Sequence, residues 1–150
     1  MTERRFQHVL NSLAGHNKIA ILGDEKGYLR RGAVKDLVAA LPAGTVVLTG
    51  NGQGVFKIAK EAALARTDLH TPDWHLTGYF DGKWDHDKAR AAALIRAADV
   101  IVIFTSLRWD ADAYAWAYSL WKKKPIHIFG KHGRRVVYER PRHTQRMTLA

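Results

Sequence analysis

Apolar and polar positions along this chain alternate between two spacings. Four short runs, KIAILG at 18–23, VVL at 46–48, VIVIF at 100–104 and IHIFG at 126–130, are apolar without a polar partner at every second position. That pattern predicts strands covered on both faces. Between the runs, apolar residues recur at i, i+3, i+4 and i+7, one stripe of a helix. Phe6, Val9, Leu10 and Leu13 predict a helix over Thr2–Leu13 with Thr2 as its cap and Gly15 as its stop. Val34, Leu37, Val38 and Leu41 predict the next, about Gly32–Leu41, closed by Pro42-Ala43-Gly44. Val55, Ile58, Ala59 and Ala62 predict a third helix ending near Arg66, and Ala91, Leu94, Ile95 and Ala98 a fourth over Asp87–Ala98. The last helix carries Ala113, Trp116, Ala117, Leu120 and Trp121, a stripe whose large side chains are expected in the core or in a dimer contact. Its final turn, Lys122-Lys123-Lys124, suits the negative end of a helix.

Strands that alternate with helices form βαβ units. The expected fold is therefore a Rossmann-like three-layer α/β/α domain with a mainly parallel sheet of about five strands. A short strand within Trp74–Phe80 and another short strand or arm within Arg134–Arg140 complete the expectation. Ligands of such sheets bind beyond the carboxyl ends of the strands, where the strand order reverses. The loops expected to meet there are Gly23–Tyr28, Gly50–Gly54 and Thr105–Asp112. The middle one is the most informative. Thr49 leads from the VVL strand into Gly50-Asn51-Gly52-Gln53-Gly54, and a helical stripe starts at Val55. A strand, a glycine turn and a helix start aim backbone N–H groups and the positive end of a helix dipole at one point, which suits phosphate. The stretch lacks the third glycine of G-x-G-x-x-G, since Val55 stands there, and lacks the Lys-Ser/Thr ending of a P-loop. A tight turn that needs glycine and binds nothing is the plainer alternative.

Composition changes the picture in one respect. The chain has 150 residues, 47% of them hydrophobic, which fits one domain of residues 1–130 with a basic arm or tail at 131–150. Lysine and arginine number 24 against 14 acidic residues, a net charge of +10. Half of that excess lies in Lys131–Ala150, where Lys131, Arg134, Arg135, Arg140, Arg142 and Arg146 face Glu139 alone. Such a field attracts polyanions, DNA or RNA among them, although a solvated tail would look the same. Cysteine is absent, which removes disulfides, thiolate nucleophiles and cysteine zinc sites and agrees with a reducing cytoplasm. No apolar run approaches a membrane span, and MTERRFQHVL lacks a signal-peptide core, so a soluble cytoplasmic protein is expected.

The candidate chemistry is carried by few groups. Asp24, Asp110 and Asp112 are the carboxylates expected at the carboxyl edge, and cleavage of an N-glycosidic bond would need one of them beside the sugar. For Asp110 and Asp112 helix capping is the plainer role; for Asp24 and Glu25 it is a solvated loop, against a ribose contact. Lys26 could meet phosphate as a point charge. Tyr28 and Trp109, with Trp74, Trp84 and Tyr114, stand in or beside the loops, where a base could stack on a ring. His70, Asp73, His75, Asp81, Asp85, His86 and Asp87 have no regular spacing and no cysteine partners, so no metal site is assigned to them. Mg²⁺ arriving with a phosphorylated ligand is the one cofactor considered. His127, inside a strand, reads as a satisfied core residue.

AILGDEKG, LTGNGQGVFKIAKEAA, PDW at 72–74, KARAAALIRAADVIVIF and the last helix leading to KKPIHIF follow one another over about Ile19–Phe129. In that order they resemble the SLOG superfamily, the Rossmann-like group of the Smf/DprA and LOG proteins, and within it the small YspA-like branch. The resemblance implies a pocket for a nucleotide or nucleotide-derived ligand. It implies Gly23 and Asp24 as a first wall, Gly50, Asn51, Gly52 and Gly54 as the phosphate cradle, Arg90 as a polar clamp, and Thr105 with Ser106 as the opposite wall. The PGGxGTxxE stretch of LOG enzymes is missing from SLRWDADAYAWA, and Ala115 stands where related deoxyribosyltransferases carry a nucleophilic glutamate. The expected function is thus to bind, and in one version to process, such a ligand. The alternatives are a nucleic-acid-binding accessory protein using the basic tail and exposed aromatics, and a nucleoside-monophosphate N-glycoside hydrolase. The Trp-rich last helix is the candidate surface for a homo-oligomer.

Overall fold

A computed structural model describes residues 6–23, 31–49, 54–72, 86–105, 115, 118–130 and 135–136. In chain order the elements are α1 (Gln7–Ser12), β1 (Lys18–Gly23), α2 (Arg31–Ala40), β2 (Val46–Leu48), α3 (Val55–Leu64), α4 (His86–Ala97), β3 (Val100–Phe104), β4 (Ile126–Phe129) and β5 (Arg135–Val136). Residues 115 and 118–121 are helical as well. The strands lie in the order β2-β1-β3-β4-β5. β2, β1, β3 and β4 are mutually parallel, and β5 pairs antiparallel with β4. The sheet is a four-stranded parallel one with a two-residue antiparallel strand on one flank.

Side chains leave each strand alternately to two faces, and both faces are dry. Ile19 and Ile21, Val47, Val100, Val102 and Phe104, and Phe129 point to one side, where they pack with residues of α1, α2 and α3. Ala20 and Leu22, Leu48, Ile101 and Ile103, and Ile128 point to the other, where α4 and Ala115 cover them. This is why the strands read as unbroken apolar runs: all five residues of β3 are buried. Fully burying each such side chain is worth about 1.5–3 kcal/mol. On the first face, Phe129 stacks on Phe104 with centroids 5.2 Å apart, and Phe6 tilts onto Phe129 at the same distance. Those contacts fasten α1 to the centre of the sheet.

Most stripes land as the spacing predicts. Val9 and Leu13, Val34, Leu37, Val38 and Leu41, Val55, Ile58 and Ala59, and Leu94, Ile95 and Ala98 are all buried. α1 begins at Gln7 with Phe6 at its N-cap and no side-chain cap, whereas Thr2 lies outside the described residues. The last helix differs from expectation. Trp121 is 71% exposed and Leu120 39%, while Ala115 and Ser119 are fully buried. Among the described residues of this helix the small Ala115 and Ser119 take the inward side. Ser119 accepts burial because its hydroxyl donates to the Ala115 carbonyl at 2.7 Å. Trp116 lies outside the described residues. The strand expected within Trp74–Phe80 does too, but Val46 forms a parallel bridge to His70, which brings the preceding segment alongside β2. Of Arg134–Arg140, Arg135–Val136 is the strand described.

Two helix ends are held by cations from elsewhere in the chain. Arg66 Nη1 donates to the carbonyls of Val38 and Leu41 at the end of α2, at 2.8 and 2.7 Å. Asp68 grips the same guanidinium through Nε at 2.9 Å and Nη2 at 2.7 Å. Lys124 Nζ donates to the carbonyls of Ile95, Arg96 and Ala98 at 2.7, 2.9 and 2.6 Å. The lysine run, expected to serve its own helix, thus reaches across to α4. The orphan carbonyls of both helices gain charge-assisted partners.

Candidate functional site at the carboxyl edge of the sheet

With β1, β2, β3 and β4 parallel, their carboxyl ends share one edge. β1 sits between β2 and β3, so the strand order reverses at the β1/β3 boundary. This is the switch point at which open α/β sheets place their ligands.

One residue shows how closely the elements meet there. A methyl group on Gly23, the last residue of β1, would come 2.6 Å from Val55 Cβ and 2.7 Å from the Phe104 carbonyl oxygen. Val55 is the first residue of α3, and Phe104 is the last of β3. The end of one strand, the start of one helix and the end of a second strand therefore touch at a position with no room for a side chain. The segments 24–30, 50–53 and 106–114 attach at this corner. Gly23, which the resemblance makes a ligand wall, has a packing duty that local spacing does not disclose. Its partners are 32 and 81 residues away along the chain.

The helix start at this corner is built on a glycine. Gly54 is the N-cap of α3 with φ 65° and ψ −125°, a conformation closed to residues with a Cβ. It offers no side chain to cap the helix, and the Ile58 N–H is bonded to the Gly54 carbonyl at 3.0 Å. The first turn holds no acidic residue and instead carries the exposed Lys57. A cation at a helix N-terminus opposes the helix dipole, and an anion bound there would reverse the sign of the interaction. Motif spacing does not single out Lys57; its third position in the helix is the available signal. Thr49, buried, ties β2 to α3 across the glycine turn, its hydroxyl donating to the Phe56 carbonyl at 3.0 Å. Thr105, also buried, donates its N–H to the Phe129 carbonyl at 2.9 Å, continuing the β3–β4 pairing by one residue. Both threonines hold loop ends in place.

The remaining expected site residues divide simply. Asp24, Lys26, Tyr28, Gly50, Asn51, Gly52, Gln53, Ser106, Trp109, Asp110 and Asp112 lie outside the described residues, and of Arg90 only the backbone, within α4, is described. Among the described residues no group of three or more His, Asp or Glu is placed to hold a metal ion. The His127 ring meets Ser12 Oγ at 2.8 Å, and Ser12 also bonds the His8 carbonyl at 3.0 Å. Both contacts are satisfied when His127 Nε2–H donates to Ser12 Oγ and the serine hydroxyl donates to the His8 carbonyl, a structural role on a buried strand. Among the described residues the displaced pKa values lie at the opposite edge: the hydrogen bond from Arg66 holds the Asp68 carboxyl below the usual range, and burial lowers Lys124.

No protein-family model, curated protein or solved structure matches this chain. No described helix is long and apolar enough to cross a membrane.

Proposed function

We propose that the chain binds a nucleotide or a nucleotide-derived ligand at the carboxyl edge of its sheet, with a phosphate seated at the start of α3. The observation that carries this reading is the corner at Gly23, which joins the ends of β1 and β3 to the first residue of α3. In open α/β sheets ligands bind at such a switch point, beyond the carboxyl ends of the strands. The glycine start of α3 and Lys57 would supply the anion-binding half. The base and sugar would meet the segments that follow β1 and β3, where Asp24, Tyr28 and Trp109 stand in the sequence. The likeness of these stretches to SLOG proteins of the YspA-like branch supports the same ligand class, in a cytoplasmic setting. Mg²⁺ would enter with the phosphate, not through a protein cage.

Thermal melting with a panel of nucleoside mono-, di- and triphosphates tests the proposal. A ligand at a hundredfold excess over its Kd raises stability by about 2.7 kcal/mol, or about 5–10 °C for a domain of this size. Gly52→Asp, which brings a carboxylate to the seat, is expected to abolish that shift while leaving the unliganded Tm nearly unchanged. A full panel without any shift would remove the reading.

A further inference from the structure

The opposite edge of the sheet, where the parallel strands begin, carries a second surface of different character. The last helix ends there with Trp121, 71% exposed, and Leu120. The Tyr118 ring lies 5.6 Å from that of Trp121, and the Lys122 ammonium stands 4.9 Å from the Trp121 centroid and 5.6 Å from that of Tyr118. Arg96, in the last turn of α4, reaches the Tyr118 hydroxyl at 3.3 Å. Ala115 and Ser119 fill the inward side of this helix, so the indole faces outward in a protein that buries Phe6, Phe104 and Phe129 completely.

The charge of this surface selects its partner. Lys122 and Lys123 are exposed, and Lys124 is committed to the α4 carbonyls. The neighbouring carboxylate, Asp99, is engaged with the Lys18 N–H at 3.3 Å and the His16 ring at 4.0 Å. β5 adds more of the same sign. It runs antiparallel to β4, with Phe129 opposite Arg135 and Ile128 opposite Val136. Arg140, Arg142 and Arg146 follow in the sequence. A largely exposed indole beside ammonium groups fits a ligand that presents both bases and phosphates. A duplex hides its bases in the stack; a single strand offers them.

We propose that the exposed Trp121, with Tyr118 and Lys122 beside it, forms a stacking site for single-stranded nucleic acid at the amino edge of the sheet. This surface is distinct from the nucleotide seat, and each can fail without the other. Fluorescence anisotropy of the full chain with a labelled oligothymidylate of about 20 nucleotides, and with a duplex of equal length, tests it. Binding of the single strand is expected to weaken steeply from about 50 to about 200 mM salt. Trp121→Ala is expected to weaken it about tenfold at fixed salt, and Trp121→Phe to restore most of that loss. Because the indole is largely in solvent, Trp121→Ala leaves the Tm and any nucleotide-induced shift nearly unchanged. Absence of single-strand binding at the lower salt, equal affinity for the duplex, or indifference to Trp121→Ala would each overturn the proposal. So would sedimentation showing a wild-type dimer that Trp121→Ala dissociates, since a second copy would then cover this face.

Discussion

Lys123 occupies a backbone position that usually belongs to glycine. Its φ is 58°, and around it Lys124 N–H bonds the Ser119 carbonyl at 3.1 Å while Lys123 N–H bonds that of Leu120 at 3.0 Å. This pair of bonds is the Schellman ending of a helix, with its left-handed residue just past the cap. A residue with a Cβ is strained there by about 1 kcal/mol. Lys123→Gly is therefore expected to raise the Tm by about 2–4 °C, read by calorimetry, if the loss of one surface cation is neutral. The left-handed kink also frees Lys124 to turn back across the sheet edge and meet α4. A run of three lysines looks uniform in the sequence, yet backbone geometry separates their roles. Lys122 stands over the rings, Lys123 makes the turn, and Lys124 lies under a neighbouring helix.

At the scale of elements, the ends of α2 and α4 depend on side chains that arrive from outside those helices. Arg66 bridges α2 and Asp68, and the pair is only partly shielded from water, so its charge term is modest; the bonds to the Val38 and Leu41 carbonyls matter more. Arg66→Met is expected to cost about 1–3 kcal/mol by leaving those carbonyls without a charged donor, as urea denaturation would measure. Asp68 adds a pH signature. Its folded pKa lies below the ordinary value because of the Arg66 hydrogen bond, so its contribution is present above about pH 4 and is lost as pH falls through the folded value. Melting curves between about pH 2 and 6 are expected to show a smaller acid-induced drop for Asp68→Asn than for the wild type. Element identity is legible in the sequence because period and burial agree: β1 and β3 need no neighbours to be recognised, and the α2 and α3 stripes name their own buried residues. The last helix departs from its pattern for a specific reason. Trp121 and Leu120 carry more apolar area than Ser119, yet Ser119 is the buried one, its hydroxyl satisfied by the Ala115 carbonyl.

For the whole molecule, parallel pairing follows from alternating elements, and the edge that gathers the strand ends follows from parallel pairing. The location of the candidate site is therefore readable from the chain alone. Its construction is not. The contact of Gly23 with Val55 and Phe104 joins residues far apart in sequence, and no local spacing encodes it. The positive φ of Gly54 lies closer to the surface of the sequence, since a glycine directly before a helical stripe invites it. β5 has a consequence of another kind. Without it, β4 would present a bare row of amides and carbonyls, a template onto which the same strand of another copy could add. Two paired residues are a thin guard. Val136→Pro, which removes one of the two backbone N–H groups of this strand, is expected to leave the protein folded yet prone to concentration-dependent clumping on warming, visible as light scattering that precedes the loss of helical signal.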